Sequence, residues 1–128
     1  MAYIKNIEEE TLANDNFRKV IYTDPRLQLV LMSLLPGEDI GMESHQLDQF
    51  IRIEKGTGRA ILDGVENMLE DGSVIIVPKG TEHNIINTSA TDKMKLYTVY
   101  APANHAPGTI HKTKADAEAA EEHYTPTT

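Results

Sequence analysis

The sequence predicts an all-β sandwich or barrel with a short helix at its carboxyl end. Between residues 17 and 100 the apolar residues alternate with polar ones at a period of two, the mark of strands with one buried face. The alternating runs are short, and each is bounded by Gly, Pro, Asn or Asp. Many short strands separated by turn signals are the pattern of two stacked sheets or a closed barrel.

The stretches "FRKVIYT" and "RLQLVLMSLL" read as two strands joined at Asp24-Pro25, a turn-forming pair. The second is apolar on both faces, with Leu27, Leu29 and Leu31 on one and Val30, Met32 and Leu34 on the other. Such a strand needs cover on both sides, from a second sheet or a partner subunit, and a homodimer is the expectation. Pro36-Gly37 then breaks the chain. Further strands follow at "QFIRIEKG", "GRAILDG", "SVIIVPKG", "NIINTS" and "MKLYTVYAP", with Asp63-Gly64 as a hairpin-turn signal. The segment "HKTKADAEAAEEH" is rich in Ala, Glu and Lys and free of breakers, so a helix and a loose tail are placed at about 112–128. Its lysines come early and its acids late, which opposes the helix dipole, so the helix needs docking to persist.

The 128 residues are read as one domain, 1–128, with no internal repeat or linker. With no cysteine, disulfides, thiolate zinc sites and a cysteine nucleophile are excluded. A formal charge of −8 and the lack of a basic stripe set nucleic acid aside as a partner. No apolar run approaches the ~20 residues of a membrane helix. The amino terminus, "MAYIKNIEEE", lacks the apolar core of a secretion signal. The expectation is a cytoplasmic protein without a membrane partner.

The stretch "GMESHQLDQF" gives Glu43, His45 and Gln49 the same parity as Leu47, Ile51 and Ile53. A carboxylate, an imidazole and an amide thus share a side with core residues. Either that face is wet, or the three converge on something. A second polar stretch, "GSVIIVPKGTEHNIIN", reads Gly72, five residues, Pro78, Lys79, Gly80, two residues, His83, three residues, Asn87. It matches without departure the second motif of the cupin superfamily, G-x5-P-x-G-x2-H-x3-N. The first cupin motif is G-x5-H-x-H-x3-E-x6-G. Here Gly37, five residues, Glu43, Ser44, His45, three residues, Gln49, six residues and Gly56 keep its spacing with two letters changed. The chain therefore resembles small single-domain cupins of the mannose-6-phosphate isomerase-like kind, with motifs at 37–56 and 72–87.

The resemblance implies a double-stranded β-helix, or jelly-roll, barrel holding one divalent metal ion such as Fe, Mn, Ni or Zn. Carried over position by position, its ligands are Glu43, His45, Gln49 and His83. His45 and His83 match the family, whereas Glu43 stands where a His is usual and Gln49 where a Glu is usual. The carboxylate has moved, but the ligand charge is unchanged and every position keeps an atom able to meet a cation. Two imidazoles and one carboxylate are also the ligand types of non-haem iron sites with open positions. The implied function is a metal-dependent enzyme acting on a small oxygenated molecule such as a sugar or sugar derivative. Isomerase or lyase chemistry is favoured, with the metal as Lewis acid. An Fe- or Mn-dependent dioxygenase and a non-catalytic ligand-binding barrel are the alternatives. No separate catalytic residue is identified.

Four further residues are candidates for substrate contact. Tyr97 and Tyr100 alternate faces on one strand, so only one looks inward, and parity does not say which. His105 and His111 follow the last clear strand; a solvated loop is the expectation, and folding across the barrel mouth as an acid or base is the alternative. His123 is assigned to the surface.

Overall fold

The computed structural model describes residues 2–120. In chain order the elements are α1 (Ile7–Ala13), β1 (Arg18–Asp24), β2 (Leu27–Leu34), β3 (Asp48–Lys55), β4 (Gly58–Leu62), β5 (Val65–Leu69), β6 (Val74–Val77), β7 (His83–Asn87), β8 (Met94–Ala101), β9 (Ile110–His111) and α2 (Lys114–Ala120). The strands form two antiparallel sheets, ordered β6-β3-β8-β2-β1-β9 and β5-β4-β7. The irregular segment 38–43 extends the smaller sheet along β7. Ile40 N donates to Ile85 O at 3.0 Å, and Glu43 and His83 exchange both backbone hydrogen bonds at 2.8 Å. This is the all-β architecture that the alternation predicts, in the jelly-roll form that the resemblance implies.

The period-two pattern is what brings the sheets together. Val30, Met32 and Leu34 of β2, Ile51 and Ile53 of β3 and Leu96 of β8 meet Ala60 and Ile85 of the smaller sheet in one cluster, each at most 1% exposed. Gly58 leaves no room for a side chain against β7, since a Cβ there would lie 2.1 Å from the carbonyl oxygen of Ile86. Asp63 (φ 47°) and Gly64 (φ 81°) both take the left-handed conformation between β4 and β5, as a tight hairpin turn requires.

Three elements were not legible in the alternation. β5 is an edge strand with four of its five residues exposed, so no buried face marks it. β9 has only two residues. Helix α1 is announced instead by its cap: Asn6 Oδ1 accepts from Glu9 N at 3.0 Å, and Glu8, Glu9 and Glu10 fill the first turn. It lies against β2, β3 and β8, and Leu31 of β2 is buried although it is outside the main cluster. Part of the outer apolar face of β2 is thus covered within the chain. Leu27 and Leu29 remain beside an open groove shared with Tyr3, Tyr22 and Val99.

Helix α2 starts at Lys114, because His111 is taken up by β9, in register with Arg18 of β1. It docks through Ala117, packed on the core, and through Lys114 Nζ, which donates to Asp39 Oδ1 at 2.6 Å. The rest of the expected helix and tail, His123 included, lies outside the described residues. No described helix is long and apolar enough to cross a membrane.

Candidate functional site

Glu43, His45, Gln49 and His83 are brought to one region by three separate constraints. The backbone bridge between Glu43 and His83 fixes those two across from each other. The carbonyl of His45 accepts from Gly80 N at 2.8 Å, tying the first motif to the second. Gln49, at the start of β3, is paired with Tyr100 of β8 and faces inward at 6% exposure. The side chains then meet. His45 Nε2 donates to Glu43 Oε2 at 3.2 Å, and the His45 and His83 rings lie 5.4 Å apart.

The hydrogen-bond partners decide which atoms remain available. A carbonyl can only accept, so the 2.9 Å contact from His83 Nδ1 to the Thr81 carbonyl places the proton on Nδ1 and leaves a lone pair on Nε2 of the neutral ring. Thr98 Oγ1 donates to the Phe50 carbonyl at 2.9 Å and accepts from Gln49 Nε2 at 2.9 Å. Gln49 Oε1 is left enclosed and without a partner. Burial pushes the Glu43 carboxyl up, but the hydrogen bond from His45 and the nearby positive charge, that of Arg18 included, outweigh it and hold the group below its ordinary value. Glu43 is therefore an anion near neutral pH. Glu43, Gln49, His83 and Tyr100 line an inner cavity of about 10 Å³, close to the least space that holds one water-sized species.

A wider cavity of about 520 Å³ opens outward from Glu43 and His45. Here the structure corrects the expectation of a solvated loop. His105 and His111 are 8% and 9% exposed, and both line this cavity. The loop bearing His105 is pinned by Gln28, whose Oε1 accepts from Asn104 N at 3.0 Å and His105 N at 2.9 Å while its Nε2 donates to the His105 carbonyl at 2.7 Å. Tyr100 is the inward tyrosine, edge-on to His45 at 6.0 Å and to His105 at 5.3 Å. Burial raises its pKa and the Glu43 charge raises it further, so the phenol keeps its proton. Tyr97 faces away and stacks on Phe50 at 6.1 Å. Arg18, Ser44, Gln46, Asn104, Lys114 and Glu118 complete the polar lining, and the motifs put none of them forward as a site residue. For Arg18 a signal existed, since it shares the parity of Val20 on β1.

The family model described as Cupin domain matches residues 30–100, more than half of the chain. The chain belongs to the cupin family. This cupin is 53% identical over 112 residues to an uncharacterized protein of Acanthamoeba polyphaga mimivirus, covering 84% of the chain and 70% of the viral protein. It is 47% identical over 127 residues to an uncharacterized protein of Bacillus subtilis, covering 94% of the chain and 68% of that protein. A crystal structure of a Bacillus halodurans protein superimposes with a TM-score of 0.90 at 42% identity, over 93% of this cupin and 95% of that chain.

Whether this cupin suits a metal ion turns on the donor atoms. Among the described residues no three His, Cys, Asp or Glu side chains converge as a ready cluster, and His45 Nε2 is engaged with Glu43. The orphaned Gln49 Oε1 and the free lone pair of His83 nevertheless face one small cavity together with the Glu43 carboxylate. Two imidazole nitrogens, a carboxylate and an amide oxygen are a chemically suitable set for a divalent cation. Uptake would require the His45–Glu43 contact to open.

Proposed function

We propose that this cupin binds one divalent cation between Glu43, His45, Gln49 and His83 and acts on a small oxygenated molecule held in the outer cavity. The observation that carries the reading is the enclosed Gln49 Oε1. A buried acceptor without a partner costs about 1–3 kcal/mol, and a cation beside Glu43 and His83 removes that cost. When bound, the ion supplies Lewis acidity toward a substrate carbonyl or hydroxyl oxygen.

The chain's own groups support isomerase- or lyase-type chemistry around it. His83 keeps its proton on Nδ1 through the Thr81 carbonyl, which fixes the ring orientation and presents Nε2. The Tyr100 phenol stays protonated and so offers a hydrogen bond to substrate oxygen. His105, which lines the outer cavity edge-on to Tyr100, is the group proposed to take or return a proton at the substrate.

The test is elemental analysis of tag-free protein beside Glu43→Ala and His83→Ala. Near-stoichiometric metal that both substitutions remove is the expected result. No metal after anaerobic reconstitution with Fe, Mn, Ni or Zn overturns the reading. One observation favours a second function in that event. With His45 closed on Glu43, the pocket stands as a polar site for an organic ligand without turnover.

Two copies are proposed to pair over the part of the β2 face that α1 leaves open, at Leu27 and Leu29. A dimeric mass by light scattering at micromolar concentration is the expected outcome, and a monomeric one removes the proposal.

A further inference from the structure

We infer that Arg18 anchors an anionic group of the ligand, a carboxylate or a phosphate, in the outer cavity. The inference deepens the small-molecule reading of this cavity and does not need the cation.

Arg18 lies on the inward side of β1 and is only 8% exposed. Its Nη1 donates to His111 Nδ1 at 3.2 Å. A guanidinium can only donate, so that nitrogen carries a lone pair and the partner is a neutral acceptor there. Nε is enclosed without a partner, and the guanidinium lies 5.3 Å from the centre of the Phe17 ring. Among the described residues no carboxylate lies within ion-pair distance of Arg18, whereas Lys114, the other cation lining the cavity, is paired. Lys114 Nζ lies 2.6 Å from Asp39 Oδ1. Glu43 feels the Arg18 charge across the cavity without pairing with it.

A buried cation held by a neutral ring and an aromatic face is costly unless something neutralises it. A guanidinium fork matches the two oxygens of a carboxylate or phosphate better than any neutral group. The cavity of about 520 Å³ suits a small ligand. His45 and Glu43 line it together with Arg18 and His111. The ligand class that fits is a small hydroxylated or carbonyl-bearing molecule with an oxyanion at one end.

The experiment titrates metal-free protein with inorganic phosphate, and separately with glycolate, at constant pH and ionic strength, followed by amide NMR. Saturable shifts at Asn104, His105 and His111 are expected, and the tighter probe identifies phosphate or carboxylate as the preferred group. Arg18→Gln is expected to weaken binding at least tenfold. Should that variant not fold, Arg18→Lys, which keeps the charge but loses the fork, is expected to weaken it three- to tenfold. Only linear, unsaturated shifts with both probes, or unchanged affinity in the Arg18 variants, overturn the inference. Uptake of Mn²⁺ is measured on the same proteins. Anion binding that depends on Arg18 supports the inference even where no Mn²⁺ is taken up, which would remove the cation reading alone.

Discussion

Gln49 Nε2 donates to Thr98 Oγ1 over 2.9 Å, and this single contact aims the other end of the amide into the inner cavity. Thr98 cannot accept a carboxylate in the same place, because its own proton is committed to the Phe50 carbonyl. The amide at this position is thus matched to its neighbour on β8. A glutamate would bring two acceptors to a hydroxyl that has only a lone pair to offer.

Two substitutions test that relay. Thr98→Val leaves the amide donor without a partner and is expected to lower stability by about 1–3 kcal/mol in urea unfolding. Gln49→Glu is expected to cost a similar ~1–3 kcal/mol in metal-free protein. Added Mn²⁺ or Zn²⁺ is expected to restore much of the Gln49→Glu loss, since a carboxylate binds a cation more strongly than an amide does. A Gln49→Glu protein as stable as wild type without metal would contradict the relay.

Gln28 should matter to the outer cavity although it lies beneath it. Gln28→Leu removes the acceptor from two backbone N–H groups, those of Asn104 and His105. At about 1–3 kcal/mol per unsatisfied group, the expected loss is roughly 2–6 kcal/mol. Hydrogen exchange at Asn104 and His105 is expected to speed up more than exchange in β3, and equal protection of both in the variant would show that the loop is held by other means.

Gly58→Ala is expected to be poorly tolerated for a reason that has nothing to do with its backbone angles. The new methyl would meet the Ile86 carbonyl oxygen at 2.1 Å, and a backbone atom in a paired strand has little room to move. Overpacking of this kind costs about 1–3 kcal/mol or more. A urea midpoint unchanged from wild type would show that β4 and β7 part without penalty.

Acid should loosen the attachment of α1. Asp15 follows the helix and is hydrogen-bonded by Lys95 and Lys93, whose bonds and charges hold its carboxyl at about 2, below the ordinary 3.8. A carboxyl depressed in the folded state contributes its full stabilisation above the unfolded value. That contribution is lost as pH falls through the folded one. Asp15→Asn should therefore lower Tm at pH 6, with the gap to wild type closing between about pH 4 and pH 2. A gap independent of pH would assign the effect to packing.

The sequence by itself determined the alternation that makes two sheets, the turn at Asp63-Gly64 and the motif spacing that marks a cupin. It also determined that Glu43, His45 and Gln49 share a parity. These are local properties, set by a period of two and by residues that tolerate particular backbone angles. Only the tertiary structure decided that Tyr100 rather than Tyr97 looks inward, because either parity satisfies one strand until its neighbours are placed. It alone buried His105 and His111, since their burial depends on Gln28, 77 residues away along the chain from His105, and on the pairing of β9 with β1. Arg18 shows the division most clearly. Its inward parity is written in "FRKVIYT", but its lack of a counter-ion emerges only when strands distant in sequence are packed around it.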